Sequence, residues 1–198
     1  ALNSNQLYAG GQFTSVGGVR RNYIAVLDLV TGMPTSFNPN ANGSIVSMAL
    51  DGTSIYVAGG FTSIGNAAKK YLAKLNTSSG NAVTGWTAPL VFPGSVLTIT
   101  VADKLYIGGT FTTVGNSLRY RTAALNKSNG NLTSWNPNAN GGVNVLTVSN
   151  NLIYAGGYFS EIGGSVRNGI AALSATNGKA TPWNPDSGGE VTSKTVAG

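Results

Sequence analysis

The segment LYIGGTFTTVG, Leu105–Gly115, decides the fold, because close copies of it recur along the chain. Its counterparts are LYAGGQFTSVGG from Leu7, IYVAGGFTSIG from Ile55 and IYAGGYFSEIGG from Ile153. The anchoring phenylalanines, Phe13, Phe61, Phe111 and Phe159, are separated by 48, 50 and 48 residues. Ala25, Ala73, Ala123 and Ala171 each fall 12 residues after the anchor, and Leu27, Leu75, Leu125 and Leu173 fall 14 after it. Gly32, Gly80, Gly130 and Gly178 fall 19 after it. Every unit closes on an aromatic, Phe37, Trp86, Trp135 or Trp183, followed by Asn-Pro in three copies and by Thr87-Ala88-Pro89 in the second. Self-similarity at such a period marks an architecture in which each unit buries its apolar face against its neighbours.

Each unit of about 49 residues reads as four short strands. An alternating segment such as Val143–Val148 leads into the polar turn Ser149-Asn150-Asn151. The next, Leu152–Phe159, carries paired glycines, which suit close approach of another backbone or a bulky aromatic. The third, Tyr23–Leu27 or Thr122–Leu125, is crowded with apolar side chains and ends in turns such as Asn129-Gly130 and Asn177-Gly178, a strong hairpin signal. The fourth runs into the aromatic, where proline stops the ladder. The pattern predicts an all-β fold: one β-propeller domain over residues 1–198, built of four four-stranded antiparallel blades. Val191–Val196 align with a first strand, whereas Leu7–Phe13 read as a second strand with no first strand of their own. Pairing of these N- and C-terminal strands would close the ring and remove exposed edges. The alternative is a piece of a larger propeller.

Composition narrows the chemistry. The 198 residues carry a formal charge of +6, with no cysteine and no histidine. Disulfides, thiolate metal sites and thiol nucleophiles are therefore excluded, along with the commonest general base and transition-metal ligand. Gly, Asn, Thr and Ser make up 89 of the 198 residues, which favours turns and strands over helices. No apolar run approaches the roughly 18–20 residues of a membrane span, and Ala1–Gln6 show neither a basic nor an apolar leader segment. Low charge with abundant Asn, Thr and Ser points to a secreted or cell-surface protein.

The stretch LYIGGTFTTVGNSLRYRTAALNKSNGNLTSWNPNANGGVNVLTV, Leu105 to Val148, resembles the delta-60 repeats, a family of tandem β-propeller repeats in large secreted or surface proteins of bacteria. Their pattern runs from a Gly-Gly-x-Phe strand through Arg-x-x-(Ile/Leu)-Ala-x-Leu to Phe-Asn-Pro or Trp-Asn-Pro. The likeness covers essentially the whole chain, with two departures. The family's Asp-Gly-Lys hairpin appears only in part, as Asp51-Gly52-Thr53 and Ala102-Asp103-Lys104, and members often carry more than four copies. The resemblance implies no enzymatic activity and no agreed ligand.

Arg20, Arg21, Lys69, Lys70, Arg119, Arg121 and Arg167 are 7 of the 12 basic residues, all between the second and third strands. Arg21, Lys69, Arg119 and Arg167 share one offset, 8 after the anchor, so a closed propeller would present them as a rim of positive potential. Such a rim could take acidic glycan, phosphate or another polyanion, with Tyr23, Tyr71 and Tyr120 as stacking faces. The competing reading has each cation bonding loop carbonyls or lying over an aromatic. Nucleic acid is disfavoured, since +6 over 198 residues is modest. Trp86, Trp135 and Trp183, with Phe37, read either as a sugar-binding rim or as packing between sheets. Phe92, in the apolar insertion Ala88–Gly94, reads as an exposed contact or as loop packing. Asp186 and Glu190 suggest a weak calcium site or a carboxylate pair, against a solvated loop. With no histidine and no GxSxG or SxxK motif, no catalytic residue, metal or cofactor is expected. Asn42, Asn76, Asn126 and Asn131 begin Asn-x-Ser/Thr sequons. The resulting expectation is a non-catalytic extracellular scaffold or adhesion module, with other subunits or surface polymers as partners and a lectin-like propeller as the alternative.

Overall fold

The computed structural model describes every residue except Ser4, Leu90 and 194–198, and the backbone but not the side chain of Phe92. Among the described residues there are strands, turns and no helix. The chain folds as two compact units, Ala1–Thr87 and Ala88–Gly198, each holding two repeats.

In the first unit, repeat 1 forms an antiparallel sheet of Leu2–Asn3, Gln6–Gly10 and Ile24–Asp28, and repeat 2 one of Ile45–Asp51, Ser54–Gly59 and Leu72–Asn76. In the second, repeat 3 supplies Val96–Val101, Leu105–Gly109 and Thr122–Leu125, and repeat 4 supplies Gly142–Ser149, Leu152–Tyr158 and Ile170–Ser174. The middle strand of each sheet is the one that leads to the anchoring phenylalanine. Leu105–Gly109 is buried along its whole length, which is why both of its faces are apolar or glycine.

The expected fourth strand is corrected to a single bridge: Leu27 to Pro34, Leu75 to Ala82, Leu125 to Leu132 and Leu173 to Ala180. The cause is local in repeats 1, 3 and 4. The hydroxyls of Thr35, Thr133 and Thr181 accept the amides of Phe37, Trp135 and Trp183 two residues on, turning the chain out of the ladder. The expected loop between the second and third strands is instead a miniature hairpin with two-residue arms, such as Ser15–Val16 with Val19–Arg20. Repeat 1 also has a first strand of its own. Leu2 pairs with Leu7 and Asn3 with Gln6, the register in which Leu50 pairs with Ile55 and Asp51 with Ser54. Of the expected C-terminal strand Val191–Val196, residues 191–193 are not in a strand, and residues 194–196 lie outside the described residues.

Among the described residues, each unit has a core set between its two sheets. In the first, Tyr8, Val26 and Phe37 of repeat 1 meet Ile45, Ile55, Phe61, Ile64 and Leu75 of repeat 2. In the second, Tyr106, Ala124 and Trp135 of repeat 3 meet Val143, Leu146, Ile153, Phe159 and Leu173 of repeat 4. Burying one such large apolar side chain stabilises by about 1.5–3 kcal/mol. The glycine two residues before the anchoring phenylalanine has a separate cause. A Cβ on Gly59, Gly109 or Gly157 would overlap the carbonyl oxygen of Ser44, Ser95 or Gly142, where the first strand crosses the second. Gly109→Ala is expected to lower the denaturant midpoint severely, because backbone and not a movable side chain occupies the space. Gly18→Ala, at φ +74 with nothing nearby, should cost only about 1 kcal/mol. Urea titration of the two variants checks the contrast.

Candidate functional site

One end of each repeat is made by the miniature hairpin, the segment leading to the aromatic and the proline corner that follows it. Because the fourth strand shrinks to a bridge, the carbonyls just before the aromatic lack a ladder partner. Basic side chains take them. Arg21 donates from Nη1 to the Arg20 carbonyl at 2.8 Å and from Nη2 to the Thr35 carbonyl at 2.6 Å. Arg119 makes the same pair of bonds to Leu118 (2.8 Å) and Thr133 (3.0 Å), and Arg167 to Val166 (2.6 Å) and Thr181 (2.5 Å). In repeat 2, an extra residue before the aromatic shifts the acceptor, and Lys69 Nζ donates to the Trp86 carbonyl at 2.7 Å. The buried Nε of Arg21, Arg119 and Arg167 has no acceptor among the described residues. These four cations thus fix the hairpin end of their own repeats through charge-assisted bonds.

The other candidates separate clearly. Phe37, Trp86 and Trp135 are 3%, 1% and 1% exposed, while Trp183 is 44% exposed. Each ring stands edge-on to the tyrosine of its own sheet, with centroids 4.9–5.8 Å apart. Trp86 and Trp135 are therefore out of reach of a sugar; of the three tryptophans, Trp183 alone offers it a face. Trp135 also donates Nε1 to the Ser174 carbonyl at 2.9 Å, which ties repeat 3 to repeat 4. The Val91–Phe92 segment adds a third strand to the hairpin of repeat 3, pairing Val91 with Val114, and Val91 is buried. The Phe92 side chain lies outside the described residues. Tyr23, Tyr71 and Arg121 hold positive φ angles of 65°, 66° and 62°, in the position that glycine takes as Gly169. The Arg121 guanidinium lies 5.5 Å over the Tyr120 ring, a cation–π pair.

The carboxylates are dispersed. Asp186 accepts Asn168 Nδ2 at 2.7 Å, and Glu190 accepts Asn144 Nδ2 at 2.6 Å, so different amides hold them. No group of three metal-ligating side chains occurs among the described residues. Backbone and hydroxyl bonds from Thr31, then the Val30 amide, hold the Asp28 carboxyl below its ordinary pKa. Partial burial of Asp103 is outweighed by hydrogen bonds from Lys104 and Tyr106 and by the Lys104 charge, leaving its pKa lowered. Burial, with the Asp51 charge second, pushes the Tyr56 phenol up to about 12; burial and then Asp103 push Tyr106 up as well.

Two features escaped the sequence reading. Asn42 Oδ1 accepts the amides of Thr62 (2.8 Å) and Ser63 (2.9 Å), and Asn140 Oδ1 those of Ser160 (2.9 Å) and Glu161 (3.0 Å), stapling each repeat to the next. The recurrence of Asn-Ala-Asn-Gly, Asn40–Gly43 and Asn138–Gly141, was the available signal. The second is a groove of ≈ 470 Å³ in repeat 4, lined by Asn140, Tyr158, Ser160, Asn168, Ser187 and several glycines. Tyr158, 75% exposed, replaces Gln12, Gly60 and Thr110 at its repeat position. That departure from an otherwise regular pattern was its only mark.

Arg119→Ala is expected to lower stability by about 1–3 kcal/mol, since it strips two carbonyls of a charged donor; thermal unfolding measures it. A pH series tests the titrating groups. The depressed Asp28 and Asp103 contribute stability above about pH 4, lost as pH falls through their folded pKa values. The raised tyrosines contribute fully below about pH 10 and lose it as pH rises toward about 12. Between these limits the unfolding temperature should be nearly flat.

No protein-family model and no curated protein matches the chain. Among solved structures it is similar to the computationally designed Ika8 protein, at 11% identity and a TM-score of 0.64, over 97% of this chain and 50% of that one. It is also similar to the WD40 domain of Neurospora crassa Pan2, at 13% identity and 0.52 over 80% and 45% of the two chains. A prolyl endopeptidase structure matches at 15% identity and 0.51, over 86% and 24%. The chain spans half the length or less of these structures, and at such identities the likeness concerns the fold alone. With no helix among the described residues, antiparallel sheets, and a designed propeller and a WD40 domain as neighbours, the fold is β-propeller-like.

Proposed function

We propose that the chain is a non-catalytic extracellular module of four consecutive propeller blades, one per repeat, acting as a scaffold whose loop rims form an adhesion or protein-interaction surface. The observation that carries this reading is where the repeated polar groups direct their bonds. Arg21, Arg119, Arg167 and Lys69 hold carbonyls of their own blade, and Asn42 and Asn140 hold the next one. Groups used in this way make a rigid platform, and divergent loops on such a platform are where recognition is built. The uncharged, Asn-, Thr- and Ser-rich surface and the likeness to delta-60 repeats support a secreted or cell-surface setting, with other subunits or surface polymers as partners. Blade count belongs to the proposal; ring closure depends on what covers the two end sheets.

A glycan- or polyanion-binding role is the second reading, and the groove beside Tyr158 favours it: an exposed ring flanked by the amides of Asn140 and Asn168. Immobilised protein is expected to retain whole cells or purified surface polymer while remaining silent on a glycan array, and Tyr158→Ala should leave that retention unchanged. Array binding that vanishes in Tyr158→Ala, with unfolding temperature unaltered, would replace the scaffold reading by the lectin one.

A further inference from the structure

We propose that the groove between repeats 3 and 4 binds a peptide segment of a partner protein, one that carries a basic and an acidic side chain. All of its walls belong to the unit Ala88–Gly198. On one side stands the corner Asn136-Pro137-Asn138 of repeat 3; on the other stand the miniature hairpin of repeat 4, Glu161–Val166, and its turn Asn177–Ala180. Pro137 accepts the Gly163 amide at 2.8 Å and packs against Gly178, and the Ala180 amide donates to the Gly163 carbonyl at 3.0 Å, so the walls are tied to one another. The groove has a volume of ≈ 770 Å³.

The same place in the first unit shows what opens it. Asn40, Ser63, Ile64, Asn66 and Ala67 line a space of only ≈ 330 Å³ between repeats 1 and 2. There Asn66 donates Nδ2 to Asn81 Oδ1 at 2.8 Å, so two side chains bridge the hairpin tip to the turn. Repeat 4 has Gly164 in place of Asn66 and Lys179 in place of Asn81, which removes the bridge. A Cβ on Gly164 would meet nothing within 4 Å. Its φ of 76° is close to the 60° that Asn66 adopts, so neither packing nor backbone conformation calls for glycine there.

Three polar groups of the groove are uncommitted. Asn136 Oδ1 is buried and has no hydrogen-bond partner among the described residues, an unfavourable state until a donor reaches it. The Glu161 carboxylate and the Lys179 ammonium have no ion-pair partner among the described residues and do not pair with each other. Both charges are particular to repeat 4. The other repeats have Ser15, Ser63 and Thr113 in place of Glu161, and Met33, Asn81 and Asn131 in place of Lys179. The opened space and the two new charges thus coincide in one groove.

The occupant follows from charge complementarity. A ligand that satisfies all three groups brings a cation, an anion and a hydrogen-bond donor. A peptide has them together: a basic side chain for Glu161, an acidic one for Lys179 and a backbone amide for Asn136. Its apolar parts meet Pro137 and Val166, the latter 63% exposed. A sugar would find no ring face to stack on, since no aromatic lines the groove. A polyanion would be repelled by Glu161. The inference rests on the reading of the chain as a protein-interaction module and gives that interaction a place.

Selection from a display library of random short peptides on the immobilised chain tests the proposal. Recovered peptides are expected to carry a basic and an acidic residue near each other, and a labelled synthetic copy should bind by fluorescence anisotropy. Glu161→Gln and Lys179→Gln should each weaken that binding about 10- to 100-fold. Gly164→Asn combined with Lys179→Asn, which copies the Asn66–Asn81 bridge, should abolish it with unchanged unfolding temperature, because both positions are exposed. Exchanging the charges, Glu161→Lys with Lys179→Glu, should restore binding to a peptide whose basic and acidic residues are exchanged. A library that yields no binder, or binders indifferent to these substitutions, would overturn the proposal. The adhesion reading is judged apart from it, by whether the wild-type chain retains whole cells or surface polymer.

Discussion

A three-stranded sheet of short strands that is apolar on both faces can cover neither face by itself, and that constraint organises everything else in this protein. Strands such as Leu105–Gly109 carry apolar side chains or glycine at every position, so a neighbouring sheet is a condition of their folding. The close approach that this requires fixes other choices. First strands bulge at Ile45–Ser47, Val96–Thr98 and Val143–Val145 as they cross the second, and the crossed residue is a glycine each time. The anchoring phenylalanine follows two residues later, filling the space between sheets. Each compact unit contains two repeats, so each sheet has such a neighbour within its own unit.

The same constraint accounts for the basic side chain that each repeat carries beside its miniature hairpin. A repeat that ends in a bulky aromatic packed between sheets cannot run a long fourth strand, because the chain must turn inward to place the ring. Thr35, Thr133 and Thr181 make that turn, and their carbonyls are left outside the ladder. Arginine is suited to the vacancy: its planar fork spans two carbonyls, and its charge strengthens both bonds. Four of the twelve basic residues serve this role, so a large part of the surplus +6 charge is a by-product of how each repeat ends. The polyanion reading rests on that charge, but the groups are committed to carbonyls of their own repeat before any ligand arrives.

Much of this was legible in the sequence because it recurs. The Phe anchors, the Gly-Gly pairs and the closing aromatics gave the repeat, and the offsets gave the strand order. What did not show was set by interactions that leave no periodic trace. The turn at Thr-x-aromatic is a side-chain to backbone bond, invisible to alternation, so the segment before Trp135 read as a strand. Ala1–Asn3 is too short to display a pattern, so the first strand of repeat 1 was missed. Trp135 and Trp183 are the same residue in the same motif, yet one is sealed and the other open, since burial here is decided by the neighbouring sheet. Asn42 read as a sequon although its side chain staples repeat 1 to repeat 2.

The two end sheets show how far the constraint reaches. Repeat proteins that end in solvent replace the outer face of the terminal repeat by polar residues, because an uncovered apolar face is a liability. Here the replacement is only partial. Repeat 4 changes the loop after its aromatic to Asp186-Ser187-Gly188-Gly189, which removes the asparagine staple and lines the groove beside Tyr158 with small residues. It nevertheless keeps Trp183-Asn184-Pro185, the counterpart of Trp135-Asn136-Pro137, whose tryptophan and proline are buried against repeat 4. A cap would have lost the tryptophan first, since it is the largest apolar residue of the motif and the most costly to leave in water. Its retention, together with a Val191 already seated at the start of the next strand, gives the end of repeat 4 the chemistry of an interior junction.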